Sequence, residues 1–333
     1  MTKKYLIVKG CAGSGNRLVT VLAAIAYAKR NNRILIVDWE DGQFDKFGVN
    51  AFTKTFELKN VESLGSYRDI ENFDVLDHSS ELFKTFPQKG IYELYYQESS
   101  NVFLKLPETF FPRGNWSKLR SCWKPISEAR KISSDSDIIA IKNVFDKKCL
   151  VYGDRLKDDR KEDVLYYADF LPNISFDHMK EFIEPKKFVL EKVNEFASAN
   201  KFESDVTGVH VRYTDKKPKA SLDKFINDLK NNLKTKSVYL STDSEEVENI
   251  FKSHFTDLIL YPKYKPKLNN EGLHQWALYN NAEDLKYSIY EDSITEMFLL
   301  SKAKFLFYQG NSTFSKVSRA YHSNLDHCYD WQS

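Results

Sequence analysis

Gly208-Val-His-Val-Arg-Tyr-Thr-Asp-Lys216 decides how this chain folds, because it reads as a buried strand that ends in charge. Along a strand, side chains alternate between faces, so Val209 and Val211 share one face while His210 and Arg212 share the other. A core strand rarely spends two positions this way, since an unpaired guanidinium is costly to bury. The strand runs into Tyr-Thr-Asp-Lys, at the carboxyl edge where open α/β sheets hold their ligands. A lone histidine there would be structural more often than functional. His210, Arg212, Asp215 and Lys216 together mark a site. Arg212 suits a pyrophosphate, because its planar fork reaches two oxygens at once.

Working outward, strands and helices alternate. Strands are expected at 206–211, 237–242, 258–261 and 305–308, with helices over 221–234, 244–254, 293–301 and 311–322. That order builds a Rossmann-like domain. Ser241-Thr-Asp-Ser244 closes one strand, where it serves both as a helix N-cap and as a lining for the ligand edge. Gly310-Asn-Ser-Thr-Phe-Ser315 joins the last strand to its helix. Hydroxyls and N–H groups at a helix N-terminus bind anions without a metal, so Ser312, Thr313, Phe314 and Ser315 join the candidate site. The one Asp-x-Asp, Asp135-Ser-Asp137, precedes an apolar run instead of closing a strand, which favours metal independence.

The amino-terminal part opens with strand 5–9, the turn Gly10-Cys-Ala-Gly-Ser-Gly15, a helix over 16–32, and a second strand over 33–37 that exits through Asp38-Trp-Glu-Asp-Gly42. Strand, crossover helix and strand make the unit of parallel sheets. The turn has the Gly-x4-Gly frame of a phosphate loop, but Asn16-Arg17 stand where Lys and Ser/Thr would be required. Three readings stay open. It is a tight turn that uses glycine for positive φ, a substrate-facing turn with Gly15, Asn16 and Arg17 at a helix N-terminus, or the loop of a phosphoryl- or sulfo-transferase. Residues 43–150 are less regular, with an aromatic loop at Phe110–Trp116. A helix over 184–199, with Pro185 in its first turn, would bridge two domains.

Bulk properties fit this plan. The 333 residues are 42% hydrophobic and 29% charged, enough for two cores. A net charge of +2 excludes the whole-protein basic field of a nucleic-acid binder, despite the local cluster Lys216-Lys-Pro-Lys219. Four cysteines without CxxC spacing point to thiols in a reducing compartment. No signal-type h-region or membrane-length apolar run is seen, so a cytoplasmic protein with at most peripheral membrane association is expected. The sequons at Asn115, Asn173 and Asn311 carry no meaning there. The expected division is 1–180, an acceptor-side α/β domain; 181–322, a nucleotide-sugar-binding domain; and 323–333, a tail.

These segments resemble the fucosyltransferase superfamily that includes nodulation-factor and core α1,6-fucosyltransferases. Gly208–Lys216 is similar to its first signature and Val238-Tyr-Leu-Ser-Thr-Asp243 to its second. Glu296-Met-Phe-Leu-Leu-Ser-Lys-Ala-Lys-Phe-Leu306, with Ser312–Ser315 and Arg319-Ala-Tyr321, is similar to its third. The resemblance spans roughly 205–322. Gly15-Asn-Arg-Leu18 and Val37-Asp-Trp39 add a less specific match.

The resemblance implies a GT-B fold, two Rossmann-like α/β domains facing each other across a cleft. It also implies GDP-fucose as donor, inversion at the anomeric carbon and no metal cofactor. Carried over, Arg212 holds the β-phosphate, His210 contacts the diphosphate side, and Lys216 stands with them. Asp243 fixes the guanosine or ribose, and Ser312-Thr313 the phosphates. Glu296 stands where the family usually has Asp. One departure matters: core-fucosylating members carry a Glu soon after the Asp-Lys, and Lys217-Pro-Lys-Ala-Ser-Leu-Asp223 has none. An inverting transfer needs a base near the acceptor hydroxyl. Asp215 and Asp223 are candidates, and so are Asp38 and Asp41 from the first domain. The expected acceptor is an oligosaccharide or polysaccharide; its identity and the linkage stay open. A transferase for another nucleotide sugar, or a non-catalytic binder of nucleotide sugars, remains the alternative.

Overall fold

Tyr5–Lys9 (β1) and Ile34–Asp38 (β2) are apolar runs in which every residue is buried, as strands covered on both faces require. The helix Ser14–Arg30 (α1) crosses between them, so they pair in parallel, in a register that sets Lys9 beside Asp38. The computed structural model describes residues 3–91, 160–169, 172–214, 217–266, 273 and 283–333. The readings on Phe110–Trp116 and on Asp135 and Asp137 lie outside them.

The chain forms two units. The first comprises Met1–Ile174, Glu181–Glu184 and His274–Tyr287; the second comprises Ser175–Lys180, Pro185–Leu273 and Ser288–Ser333. The chain therefore changes unit several times, not once near 180. In the first unit Phe56–Leu58 (β3) lies apart from the main sheet. Ser63–Leu64 (β4) and Val164–Tyr167 (β5) complete a parallel sheet of order β4-β2-β1-β5. Ile183–Pro185 (β6) pairs with β3. The helix expected from 184 starts at Lys187 (Lys187–Ala199, α2). Glu184 precedes a proline, whose ring pushes the residue before it out of the helical region.

In the second unit Val206–Val211 (β7), Ser237–Thr242 (β8), Leu258–Leu260 (β9), Phe305–Tyr308 (β10) and Cys328–Asp330 (β11) form a parallel sheet of order β11-β10-β7-β8-β9. Leu222–Asn232 (α3) buries Leu222, Phe225, Ile226 and Leu229, one helical stripe. Each such side chain contributes about 1.5–3 kcal/mol on burial. Ser221 caps this helix by accepting the Lys224 amide. Glu245–His254 (α4) carries Glu245, Glu246 and Glu248 in its first turn, which suits the helix dipole. Glu283–Lys302 (α5) is longer than the expected 293–301. Thr313–Tyr321 (α6) follows β10.

The expected tail is part of this fold. Leu306, Phe307 and Tyr308 pair with Cys328, Tyr329 and Asp330, and Trp331 stacks on Phe225 with 4.5 Å between ring centroids. Two aromatic residues in four positions give the segment enough apolar surface to hold a sheet edge.

Candidate functional site

In the second unit the chain lays down β7, β8 and β9 in one direction, then returns to the other side of β7 for β10. Strand order reverses between β7 and β10, the point where open α/β sheets leave a crevice at their carboxyl ends. His210, Arg212 and the Gly310–Ser315 turn stand there.

His210 is buried, and its ring stacks on Phe314 at 5.0 Å and 27°. Its Nδ1 is buried with no hydrogen-bond partner among the described residues. Burial, then the positive charges of Arg212 and Lys263, push its pKa down to about 3. The imidazole is therefore neutral at ordinary pH. The half-buried Arg212 donates its amide to Gln309 Oε1 at 2.8 Å. Gln309, fully buried, donates from Nε2 to Asn311 Oδ1 at 2.9 Å. Its carbonyl accepts the Ser312 amide at 2.8 Å and the Ser315 hydroxyl at 2.9 Å. One glutamine thus ties the β7 exit to the turn after β10.

Ser312 occupies the N-cap position of α6 but its side chain does not cap the helix, and its buried hydroxyl has no partner among the described residues. A helix N-terminus with no side-chain cap is receptive to an anion. Asp243 accepts the Tyr213 amide at 2.8 Å and the Thr214 hydroxyl at 2.6 Å, so it shapes the segment after Arg212. The N-cap of α4 is Ser244, not Asp243.

Glu296, on α5, is buried against Lys263, with 2.6 Å between them and side chains 5% and 8% exposed. Lys263 also donates to the Thr242 carbonyl at 2.8 Å. Burial pushes the Glu296 carboxyl up, while Lys263 and the Ser241 hydroxyl pull it down. Gln309 and Lys263 escaped sequence reasoning. A polar residue closing the apolar run Phe305–Tyr308 was the available signal for Gln309, whereas Lys263 gave none.

Asp223 is exposed in the first turn of α3. Asp215 and Lys216 lie outside the described residues.

In the first unit Arg17 is completely buried. Its guanidinium donates to both Asp41 oxygens, at 3.2 and 2.6 Å, to Gln43 Oε1 at 2.5 Å and to the Ala12 carbonyl at 3.0 Å. It packs over the Phe44 ring at 4.6 Å. The positive φ of the turn belongs to Ala12, not to a glycine. Gly10 is required for space, since a Cβ there would sit 1.9 Å from Arg17 Nη1. Gly15 and Asn16 are buried in the first turn of α1. Asp38 pairs with Lys9 at 2.7 Å, both essentially unexposed, and burial raises its pKa. In this structure Arg17, Asp38 and Asp41 are therefore spent on buried ion pairs. Among the described residues no group of three or more His, Cys, Asp or Glu side chains is placed to hold a metal ion, and no helix is long and apolar enough to cross a membrane.

The two parallel sheets, each in its own α/β unit, fit the Rossmann-like fold of GT-B glycosyltransferases. The chain is similar to NodZ α-1,6-fucosyltransferase in a crystal soaked with GDP-fucose, with 18% identity over 96% of this chain and 93% of that one, at TM-score 0.58. It is similar to NodZ co-crystallised with GDP, with 16% identity over 96% and 92% and TM-score 0.57. It is similar as well to fucosyltransferase NodZ from Bradyrhizobium, with 16% identity over 96% and 93% and TM-score 0.56. At this identity the likeness is one of fold. Neither family models nor curated protein sequences match the chain.

Proposed function

We propose that this protein is an inverting, metal-independent glycosyltransferase that moves fucose from GDP-fucose to a hydroxyl of a glycan acceptor. One observation carries the reading. Two buried polar atoms, His210 Nδ1 and Ser312 Oγ, stand without partners among the described residues at a switch-point crevice, beside Arg212 and an uncapped helix N-terminus. Buried polar groups are normally satisfied, so a pair of orphans there fits a polar ligand. The similarity to structures holding GDP-fucose and GDP supports a nucleotide-sugar diphosphate as that ligand.

In this reading Arg212 neutralises charge that builds on the departing diphosphate, and the Ser312 hydroxyl with the first N–H groups of α6 shares it. Charge stabilisation of this kind replaces a metal. Asp243 holds the segment after Arg212 in shape, and Glu296 contributes to donor binding. Asp215 and Asp223 are the carboxylates we favour as base, because Asp38 and Asp41 are engaged by Lys9 and Arg17. We place the activity in the cytoplasm, in surface polysaccharide or glycan synthesis, on the cysteine spacing and the donor class.

The absence of Glu from 217–223 favours a second reading, a non-catalytic binder of nucleotide sugars. Release of GDP from GDP-fucose, with and without glycan acceptors and in the presence of a chelator, separates the two. The transferase releases GDP, at least slowly to water, and Arg212→Ala lowers turnover about 10²–10³-fold. Donor binding with no release supports the binder, and near-normal activity of the variant rules out the role given to Arg212.

A further inference from the structure

Asp330 and Trp331 are adjacent residues whose hydrogen bonds end on the two backbone segments of the switch-point crevice. Asp330 Oδ1 accepts the Gly310 amide at 3.0 Å and the Gln332 amide at 3.1 Å. Gly310 opens the turn that carries Ser312, and it fits against this carboxylate without room for a side chain: a Cβ would lie 1.8 Å from Asp330 Oδ2. The Trp331 indole N–H donates to the His210 carbonyl at 3.0 Å, and its amide donates to the Tyr308 carbonyl at 3.2 Å. The register between β7 and β10 ends at Val209 and Phe307, so the His210 carbonyl lies beyond it and the indole serves as its donor. The ring itself is anchored on Phe225.

We propose that Asp330 and Trp331 are positioning residues for the nucleotide site. They fix the Gly310–Ser315 turn and the end of β7 relative to one another, so that Ser312, His210 and Arg212 meet the diphosphate already aligned. Neither residue touches the donor; both act through backbone groups of residues that do. Edge packing alone would need only the apolar faces of Tyr329 and Trp331. The two hydrogen bonds go instead to site backbone, and such prior alignment is what electrostatic stabilisation of a diphosphate depends on. This inference rests on the reading of that crevice as the GDP site.

The test compares the parent with Asp330→Ala, Asp330→Asn and Trp331→Phe. Amide hydrogen exchange is followed at 210–214 and 309–314, and GDP affinity is measured by calorimetry. Trp331→Phe keeps a ring on Phe225, and Asp330→Asn keeps an acceptor for Gly310. Asp330→Ala and Trp331→Phe are expected to speed exchange in both segments and to weaken GDP about tenfold each. Asp330→Asn should restore both readouts to near the parent's. A merely structural role would lower the melting temperature while leaving local exchange and affinity alone, and that result overturns the proposal. Faster exchange with unchanged GDP affinity overturns it too. If the parent fails to bind GDP, the donor reading falls, and the role of Asp330 and Trp331 in nucleotide alignment falls with it. Unchanged exchange beside normal GDP binding removes only the positioning role.

Discussion

The His210 ring faces the Phe314 ring at 5.0 Å, and the pair ties the end of β7 to the first turn of α6. The imidazole is buried against this aromatic face, and burial first, then the positive charges of Arg212 and Lys263, keep the ring neutral. A neutral imidazole can donate or accept one hydrogen bond toward a ligand without adding charge.

This has a consequence for stability. With the folded pKa pushed down to about 3 from 6.5, the unfolded chain binds a proton in that window that the folded protein does not. Stability therefore falls as pH drops from 6.5 toward 3. His210→Gln should remove about 1.4 kcal/mol of that dependence per pH unit between roughly pH 6 and 4. Denaturant melts of parent and variant across this range check it, and parallel slopes would contradict a buried neutral His210.

Lys263→Met should destabilise the protein by about 3–5 kcal/mol, because it strands the Glu296 carboxylate in the interior. Adding Glu296→Gln should return much of the loss, since no charge is then left unpaired. Equilibrium urea unfolding of the single and double variants gives the comparison. Equal losses in both would show that the pair is not what matters there.

Gly310→Ala forces a methyl group onto Asp330 and should cost about 1–3 kcal/mol. In an Asp330→Ala background the same change should cost less. Thermal unfolding over this four-variant cycle measures the coupling, and additive effects would mean that the turn relaxes away from Asp330.

Arg17→Met leaves the buried Asp41 carboxylate without its cation, and unfolding experiments should show a loss of about 3–5 kcal/mol. GDP affinity of the folded fraction should be unchanged, because the guanidinium is fully engaged within its own turn. Loss of nucleotide affinity on changing Gly13, Gly15 or Arg17, with affinity retained on changing Arg212, would move the site to the first glycine turn.

The sheet of the second unit was legible because its strands are apolar runs broken by polar turns, and the cap expected in Ser241–Ser244 is supplied by Ser244. His210, Arg212 and Ser312 stand out in the sequence because polarity at a strand exit has few structural uses, and the fold brings them to the carboxyl edge between β7 and β10. Of the three readings open for the turn, one faces Arg17 to substrate; in the structure its guanidinium is engaged by side chains that sequence spacing does not point to. Its partners, Asp41 and Gln43, lie 24 and 26 residues away, and no local pattern announces a pairing across that separation. The same holds for Lys263 with Glu296, 33 residues apart. Residues 328–331 looked like a tail because a three-residue edge strand carries too little periodicity to be seen. Pro185 was placed in a helix because proline suits a first turn, but its effect on Glu184 decided the outcome.

The crevice between β7 and β10 is the proposed site of a guanosine diphosphate. Calorimetric titration of the protein with GDP, UDP and ADP in EDTA tests it most directly, with Arg212→Ala as the paired sample. Selective GDP binding without metal, much weakened in the variant, is the expected result. Preference for ADP, or binding that needs Mg²⁺ and ignores Arg212, would contradict it.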